Sequence, residues 1–277
     1  MDQYNKVISD IKDLIEAVKD ANDQFQGQVW WRGQGGIEWY LLPKVYRPPS
    51  KGYNYEQNII LRFQQRATSR YHNCPPLDNW YSWLFLMQHY GLPTRLLDWT
   101  ESPLTAGFFA VCEQKHWKKD GALYAMNPYL LNDVQIRKNE LLMPENEKAR
   151  SLARKAFDKN AEDPKLIIAI LPSEVDIRLM VQLSVFTVHG SSLSLDDVQG
   201  NVSFLIKYKI QSEAKRLLKD QFKYLGIRES SLYPDLEHLA KDTAALRFKE
   251  PTTRTREIDE DRSMDPGYIN RDTNSST

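Results

Sequence analysis

An arginine set among tryptophans and glycines, Trp30-Trp31-Arg32-Gly33-Gln34-Gly35-Gly36, is the first place where this sequence could do chemistry. A guanidinium at a strand end can point its fork into a cleft and grip phosphate or carboxylate bidentately. The glycines that follow let a ligand or a tight turn approach the backbone. The alternative is a surface arginine stacked on Trp31 or Trp39 beside an ordinary turn. A second stretch, Gln88-His89-Tyr90-Gly91-Leu92-Pro93-Thr94-Arg95-Leu96-Leu97-Asp98-Trp99-Thr100, packs His, Thr, Arg, Asp and Trp between two apolar segments. Charge is costly there unless paired, so Arg95 and Asp98 are expected to satisfy each other or a ligand. His89 has the chemistry of a general acid/base or of a hydrogen-bonded core residue.

The elements that must position these residues are legible in outline. Val7, Ile8, Ile11, Leu14, Ile15 and Val18 fall at helical spacing, so an amphipathic helix opens the chain. A strand over Val29–Gly33 runs into the Gly35-Gly36 turn. Residues 54–71 read as a polar helix with Arg62, Arg66 and Arg70 on one face, either a phosphate-binding ladder or a solvated surface. Asn79 to Tyr90 is apolar nearly all round and Gly91 stops it. Ser102-Pro103 caps a further buried helix running to Gln114. Strands are expected at 122–126, 166–171, within 180–188 and over 202–210, with a charged helical insertion or excursion at about 132–163. Ser212 is expected to cap a helix ending at Gly226, and Pro234 to start the last one. This order predicts an α+β single domain with a mixed, twisted sheet flanked by helices over residues 1–249. Beyond Lys249 the composition turns to Thr, Arg, Glu, Asp and Ser, which predicts a disordered tail over 250–277.

Composition narrows the function classes. The 277 residues are 41% hydrophobic and 27% charged, enough to bury a core. Lys+Arg and Asp+Glu both number 37, so nothing in the balance demands a polyanionic partner. The longest apolar run, Leu166 to Leu171, is far short of the roughly 20 residues that cross a bilayer, and Met1 to Lys6 lacks a signal-peptide profile. No membrane is expected. Two cysteines, Cys74 and Cys112, neither staple this fold nor make a four-thiolate zinc site, so a reducing cytoplasm is the expected location and no metal is expected. No Walker loop, no GxGxxG after a strand and no Gly-x-Ser-x-Gly elbow is present, which argues against kinase, Rossmann dehydrogenase and α/β-hydrolase readings.

Trp31-Arg32-Gly33-Gln34, then Leu42-Pro43-Lys44-Val45-Tyr46-Arg47, then Gln88 through Leu104 together resemble the FRG domain family. Later pieces agree: Arg178 with Gln182, Phe186-Thr187-Val188-His189-Gly190, and Ser231-Leu232-Tyr233-Pro234-Asp235-Leu236-Glu237-His238-Leu239-Ala240. The resemblance spans about 27–245, with Trp31 standing where the family name implies Phe and His238 where Gly is expected. It implies a role in bacterial or phage defence, as a toxin or anti-phage effector with a neutralising antitoxin partner. The aromatic-Arg-Gly strand is also similar to the first catalytic strand of ADP-ribosyltransferases, whose arginine grips NAD. That similarity implies an ADP-ribosyltransferase-like fold, NAD as substrate and a nucleic-acid or protein acceptor.

On that reading the catalytic set is Arg32, Thr94, Asp98 and Glu237, with Thr100 as a second choice for the hydroxyl. Trp31, Arg32, Gly33, Gln34, His89 and Arg95 hold NAD. The second-strand Ser-Thr-Ser signature is absent, and no Gln-x-Glu pair is present. A non-enzymatic nucleotide- or anion-binding module is the alternative. Glu237 carries its own alternative, since Asp235 and Glu237 sit in a first helical turn where the dipole favours acids. Gln182 and His189 fit either pocket lining or internal hydrogen bonding.

Overall fold

The structure is a computed structural model that describes residues 6–48, 54–162, 164–172 and 177–246. By internal contacts the chain divides after Ala244 into two units. Everything below concerns the first unit; the tail expected over 250–277 lies outside the described residues.

Seven strands, β1 (Val7–Ile8), β2 (Trp30–Gln34), β3 (Leu96–Thr100), β4 (Gly121–Met126), β5 (Ile167–Ile170), β6 (Ser184–His189) and β7 (Leu205–Ile210), form one open sheet. Its order is β1-β7-β4-β2-β3-β6-β5, with β1 parallel to β7 and every other neighbouring pair antiparallel. The α+β class and the mixed sheet are therefore as expected. Ten α-helices are described: α1 (Ile11–Phe25), α2 (Tyr55–Ala67), α3 (Trp80–His89), α4 (Pro103–Val111), α5 (Pro128–Ile136), α6 (Glu147–Phe157), α7 (Ile177–Val181), α8 (Lys215–Tyr224), α9 (Glu229–Leu232) and α10 (Leu236–Ala244).

Local signals set the helix ends near the site. Asn79 accepts from the Ser82 amide to start α3, and Gly91, at φ 77°, follows its end. Ser102 accepts from the Thr105 amide, with Pro103 in the first turn of α4. Ser212 does not cap α8. That helix starts at Lys215 with Ala214 at its cap, and Ser212 instead donates its amide to Asp120. Of the two expectations for the charged stretch after β4, the helical one holds. The stretch contains α5 and α6, and α6 buries Ala149, Leu152, Ala153 and Ala156, a stripe at helical spacing.

Strand alternation sorts side chains onto the two faces of the sheet. On one face, α1, α4 and α8 cover the β1-β7-β4-β2 half around Trp31, Leu123, Tyr208 and Phe222. On the same face, α2, α3 and α6 cover the β3-β6-β5 half around Phe85, Leu96, Leu152 and Phe186. The other face buries Trp30, Leu97, Trp99, Tyr124 and Met126 in a third cluster. Two of the three cores are thus separate, and the gap between them lies over the junction of β2 and β3.

Candidate functional site

The junction is where the sheet comes apart. β2 pairs with β4 through five residues and β3 with β6 through five, but β2 meets β3 only at Trp31 and Thr100. Beyond that pair the strands diverge into a fork. At Gly33, inside the fork, a Cβ would lie 1.8 Å from the Ala106 carbonyl oxygen, so α4 rests its backbone directly on β2. Only glycine permits that approach.

A cleft of about 800 Å³ occupies the fork, within the usual range of ligand pockets. Both stretches singled out in the sequence reach it: Trp31, Arg32, Gly33 and Gln34 from β2, and Asp98, Trp99 and Thr100 from β3. Arg32 sits in the crotch with 15% of its side chain exposed. Its Nη1 donates to the Asp98 backbone carbonyl at 2.5 Å and stands 3.9 Å from the Asp98 carboxylate. Its Nε is buried and has no hydrogen-bond partner among the described residues. Burial pushes the Arg32 pKa down to about 10, the Asp98 charge opposes this, and the nearby Arg47 guanidinium adds to it. Arg47 is also lowered by desolvation; its Nε donates to the Leu42 carbonyl at 2.8 Å. Two guanidiniums that repel each other share one carboxylate that is 55% exposed. An anion in the cleft relieves both the repulsion and the missing hydrogen bond.

A relay holds that carboxylate. Thr94 donates its hydroxyl to Gln88 Oε1 at 2.5 Å, which turns Gln88 Nε2 toward Asp98 Oδ2 at 2.9 Å. Thr94 is fully buried and does not line the cleft; it acts through Gln88. Gln88 itself lines the cleft.

Arg95 and Asp98 do not satisfy each other. The Arg95 fork closes on Glu56 at 2.6 and 3.1 Å and on the Leu152 carbonyl at 2.8 Å, deep between β3, α2 and α6. At 2% exposed it is a structural ion pair and not part of the cleft. His89 does not line the cleft either: its ring packs edge-on against Tyr90, and its carbonyl accepts from Arg178 at 3.0 Å. Glu237 lies away from the cleft lining on α10, 73% exposed and paired to Lys241 at 2.6 Å, one helical turn on. Gln182 lines the cleft, while His189 is an internal hydrogen-bonding residue. Arg62 and Arg66 on α2, and Arg70 in the turn after it, are exposed and do not line it.

The cleft has an aromatic side as well. Trp39 packs edge-on against His116 with ring centres 4.8 Å apart, and Phe109 packs edge-on against Tyr233 at 6.3 Å. Arg178 sits 4.4 Å over the Tyr233 ring. Arg47, Gln88 and Tyr233 belong to the quoted motifs, yet sequence reasoning gave none of them a role. Their membership in those motifs was the available signal. Among the described residues no group of three or more His, Cys, Asp or Glu side chains could hold a metal ion. Among the described residues no helix is long and apolar enough to cross a membrane.

No curated protein and no solved structure matches the chain. The family model of the FRG domain matches residues 27–119, the segment that supplies β2, β3, α4 and most of the cleft's polar groups. This chain, then, carries an FRG domain, and the fork between β2 and β3 is built from it.

Proposed function

We propose that the fork binds the pyrophosphate of a dinucleotide, and that the ligand is NAD, used to transfer ADP-ribose to a cellular macromolecule. The observation that carries this reading is Arg32, a guanidinium withdrawn from water, with an unpartnered Nε and a like charge beside it. A pyrophosphate supplies the acceptors and negative charge that this arrangement lacks. The aromatic side, with Trp39 and Tyr233, offers faces to a base or to nicotinamide.

In the transfer, the bond from ribose C1′ to nicotinamide breaks and its electron pair leaves with the nicotinamide nitrogen. The acceptor's nucleophile forms the new bond to C1′ and releases its proton. Positive charge builds on the ribose as the first bond breaks, and a nearby carboxylate stabilises it. Asp98, 3.9 Å from Arg32 and oriented by Gln88, takes that role in place of Glu237. The carboxylate is also a base for the acceptor's proton. The ADP-ribosyltransferase likeness, and the role as a bacterial toxin or anti-phage effector with a neutralising partner, belong to this same proposal.

The test is incubation of the purified chain with labelled NAD and protein, RNA and DNA acceptors. Transfer of label that Arg32→Ala and Asp98→Asn both abolish is the expected result. Neither NAD turnover nor transfer to any acceptor would overturn the enzyme reading. The position of Glu237, paired to Lys241 outside the cleft, favours a second reading, a module that binds a nucleotide without reaction. That module shows a raised melting temperature with ADP-ribose and forms no product.

A further inference from the structure

A second cavity, of about 590 Å³, lies on the other side of α4, against α8 and α9. Phe108 faces it, whereas Phe109 faces the fork, so α4 is the partition between the two. α8 turns Lys215, Leu218 and Phe222 into the core. Its Arg216, Lys219 and Lys223, spaced three and four apart, line the cavity, and Arg228 joins them from the start of α9.

The charges lining this cavity are five cations and three anions, in a chain whose formal net charge is zero. One anion, Asp242, is already engaged by the Ser230 amide and hydroxyl, and one cation, Lys241, by Glu237. Arg216 and Lys223 make no side-chain hydrogen bond or ion pair among the described residues. Trp117 supplies an aromatic wall. Its indole nitrogen donates to the Val111 carbonyl at 2.8 Å, which fixes the ring, and the ring remains part-exposed. Lys219 Nζ stands 5.9 Å from the ring centre and donates to the Cys112 carbonyl at 2.8 Å.

We infer that this groove is a binding site for single-stranded nucleic acid, with Trp117 as a stacking platform and α8 as the phosphate-binding edge. Cations in a row beside a fixed aromatic face suit a flexible polyanion whose bases stack without regard to sequence. The inference does not need NAD. Combined with the proposed transfer, it names nucleic acid as the acceptor class, and only that combination rests on the NAD reading.

The test uses the full 277-residue chain without NAD, so its failure is separate from failure of the transferase reading. Fluorescein-labelled 12-mers of oligo-U and oligo-dT are titrated by anisotropy between 50 and 200 mM salt. About four phosphate contacts predict a slope of about −3 for log affinity against log salt. Arg216→Glu, Lys223→Glu and Arg228→Glu together are expected to cost at least about tenfold and to flatten that slope. Trp117→Leu is expected to weaken binding about fivefold or more at unchanged slope. Reversing Arg62 and Arg66 on α2, with Arg70 in the turn after it, is expected to leave affinity unchanged. Absence of binding at 50 mM salt overturns the inference, as does binding that survives the α8 and α9 reversals or is lost with the α2 ones. Melting temperatures establish that each variant is folded.

Discussion

Arg32 and Arg95 come from neighbouring motifs, and both are nearly withdrawn from water, yet the two are partnered in opposite ways. Arg95 closes on both oxygens of Glu56 and on the Leu152 carbonyl. Arg32 has one backbone carbonyl, a carboxylate at 3.9 Å and an empty-handed Nε. A buried charge that is fully matched from within serves the fold. One left short of partners in a cleft marks where a ligand completes the set. Burial alone does not separate the two; the count of satisfied hydrogen bonds does.

The sharpest way to break this contrast is to exchange the consequences of losing each guanidinium. Arg95→Met strands Glu56 as an uncompensated buried charge, so it is expected to cost about 3–5 kcal/mol of stability, read by urea unfolding. Glu56→Gln is expected to cost a similar amount for the same reason. A loss under about 1 kcal/mol in either variant would mean that the pair is not structural.

Arg32→Met has the reverse signature. It removes a desolvated, underpartnered charge, so the unfolding midpoint is expected to stay close to that of the wild type. ADP-ribose affinity, measured by calorimetry, is expected to fall by about 2–5 kcal/mol, the scale of losing one partner of a desolvated charge pair. Wild-type affinity in this variant would remove Arg32 from the site.

A smaller effect sharpens the comparison from the wall behind the cleft. The Trp99 indole N–H donates to Thr187 Oγ1, whose hydroxyl donates to His189 Nε2, and His189 Nδ1–H donates to the Leu193 carbonyl, each at 3.2 Å. Nε2 must be unprotonated for this chain to run. Burial is the main force that pushes the His189 pKa down to about 3, from an ordinary value of 6.5, with the charges of Arg32 and Arg95 adding to it. The unfolded chain takes up a proton below pH 6.5 that the folded chain refuses. Stability from this group is therefore complete above pH 6.5 and is lost progressively as pH falls toward 3. Between pH 7 and pH 5 the expected loss is about 2 kcal/mol. His189→Gln is expected to flatten that part of the profile in urea unfolding followed against pH.

Glu237 should matter least. Its carboxyl is held below the ordinary range by Lys241 on the solvent side of α10. Glu237→Gln is expected to leave both ADP-ribose affinity and the unfolding midpoint unchanged, while Asp98→Asn abolishes transfer. Loss of transfer in the Glu237 variant with Asp98→Asn active would return the catalytic carboxylate to α10.

What was legible beforehand follows the range of the interactions involved. The strand at Trp30, the cap at Ser102, the stop at Gly91 and the α+β class all rest on period, propensity and capping within a few residues. The small-residue stripe of α6 was equally local, but the charges around it left a helical insertion and an excursion both open. The two motif stretches announced themselves by spending charge among apolar neighbours, and both do reach one cleft. Which charge meets which was not written locally. Glu56 lies 39 residues before Arg95, and Asp98 lies 66 after Arg32. Nothing near Glu237 reveals that α10 faces solvent. A carboxylate has the same chemistry wherever the chain places it, and only the packing of α2 and α6 against β3, and of α4 against Gly33, selects which pairs are brought within reach. Local sequence determined the elements and the kinds of group available; the parting of β2 from β3 decided which of them face a ligand.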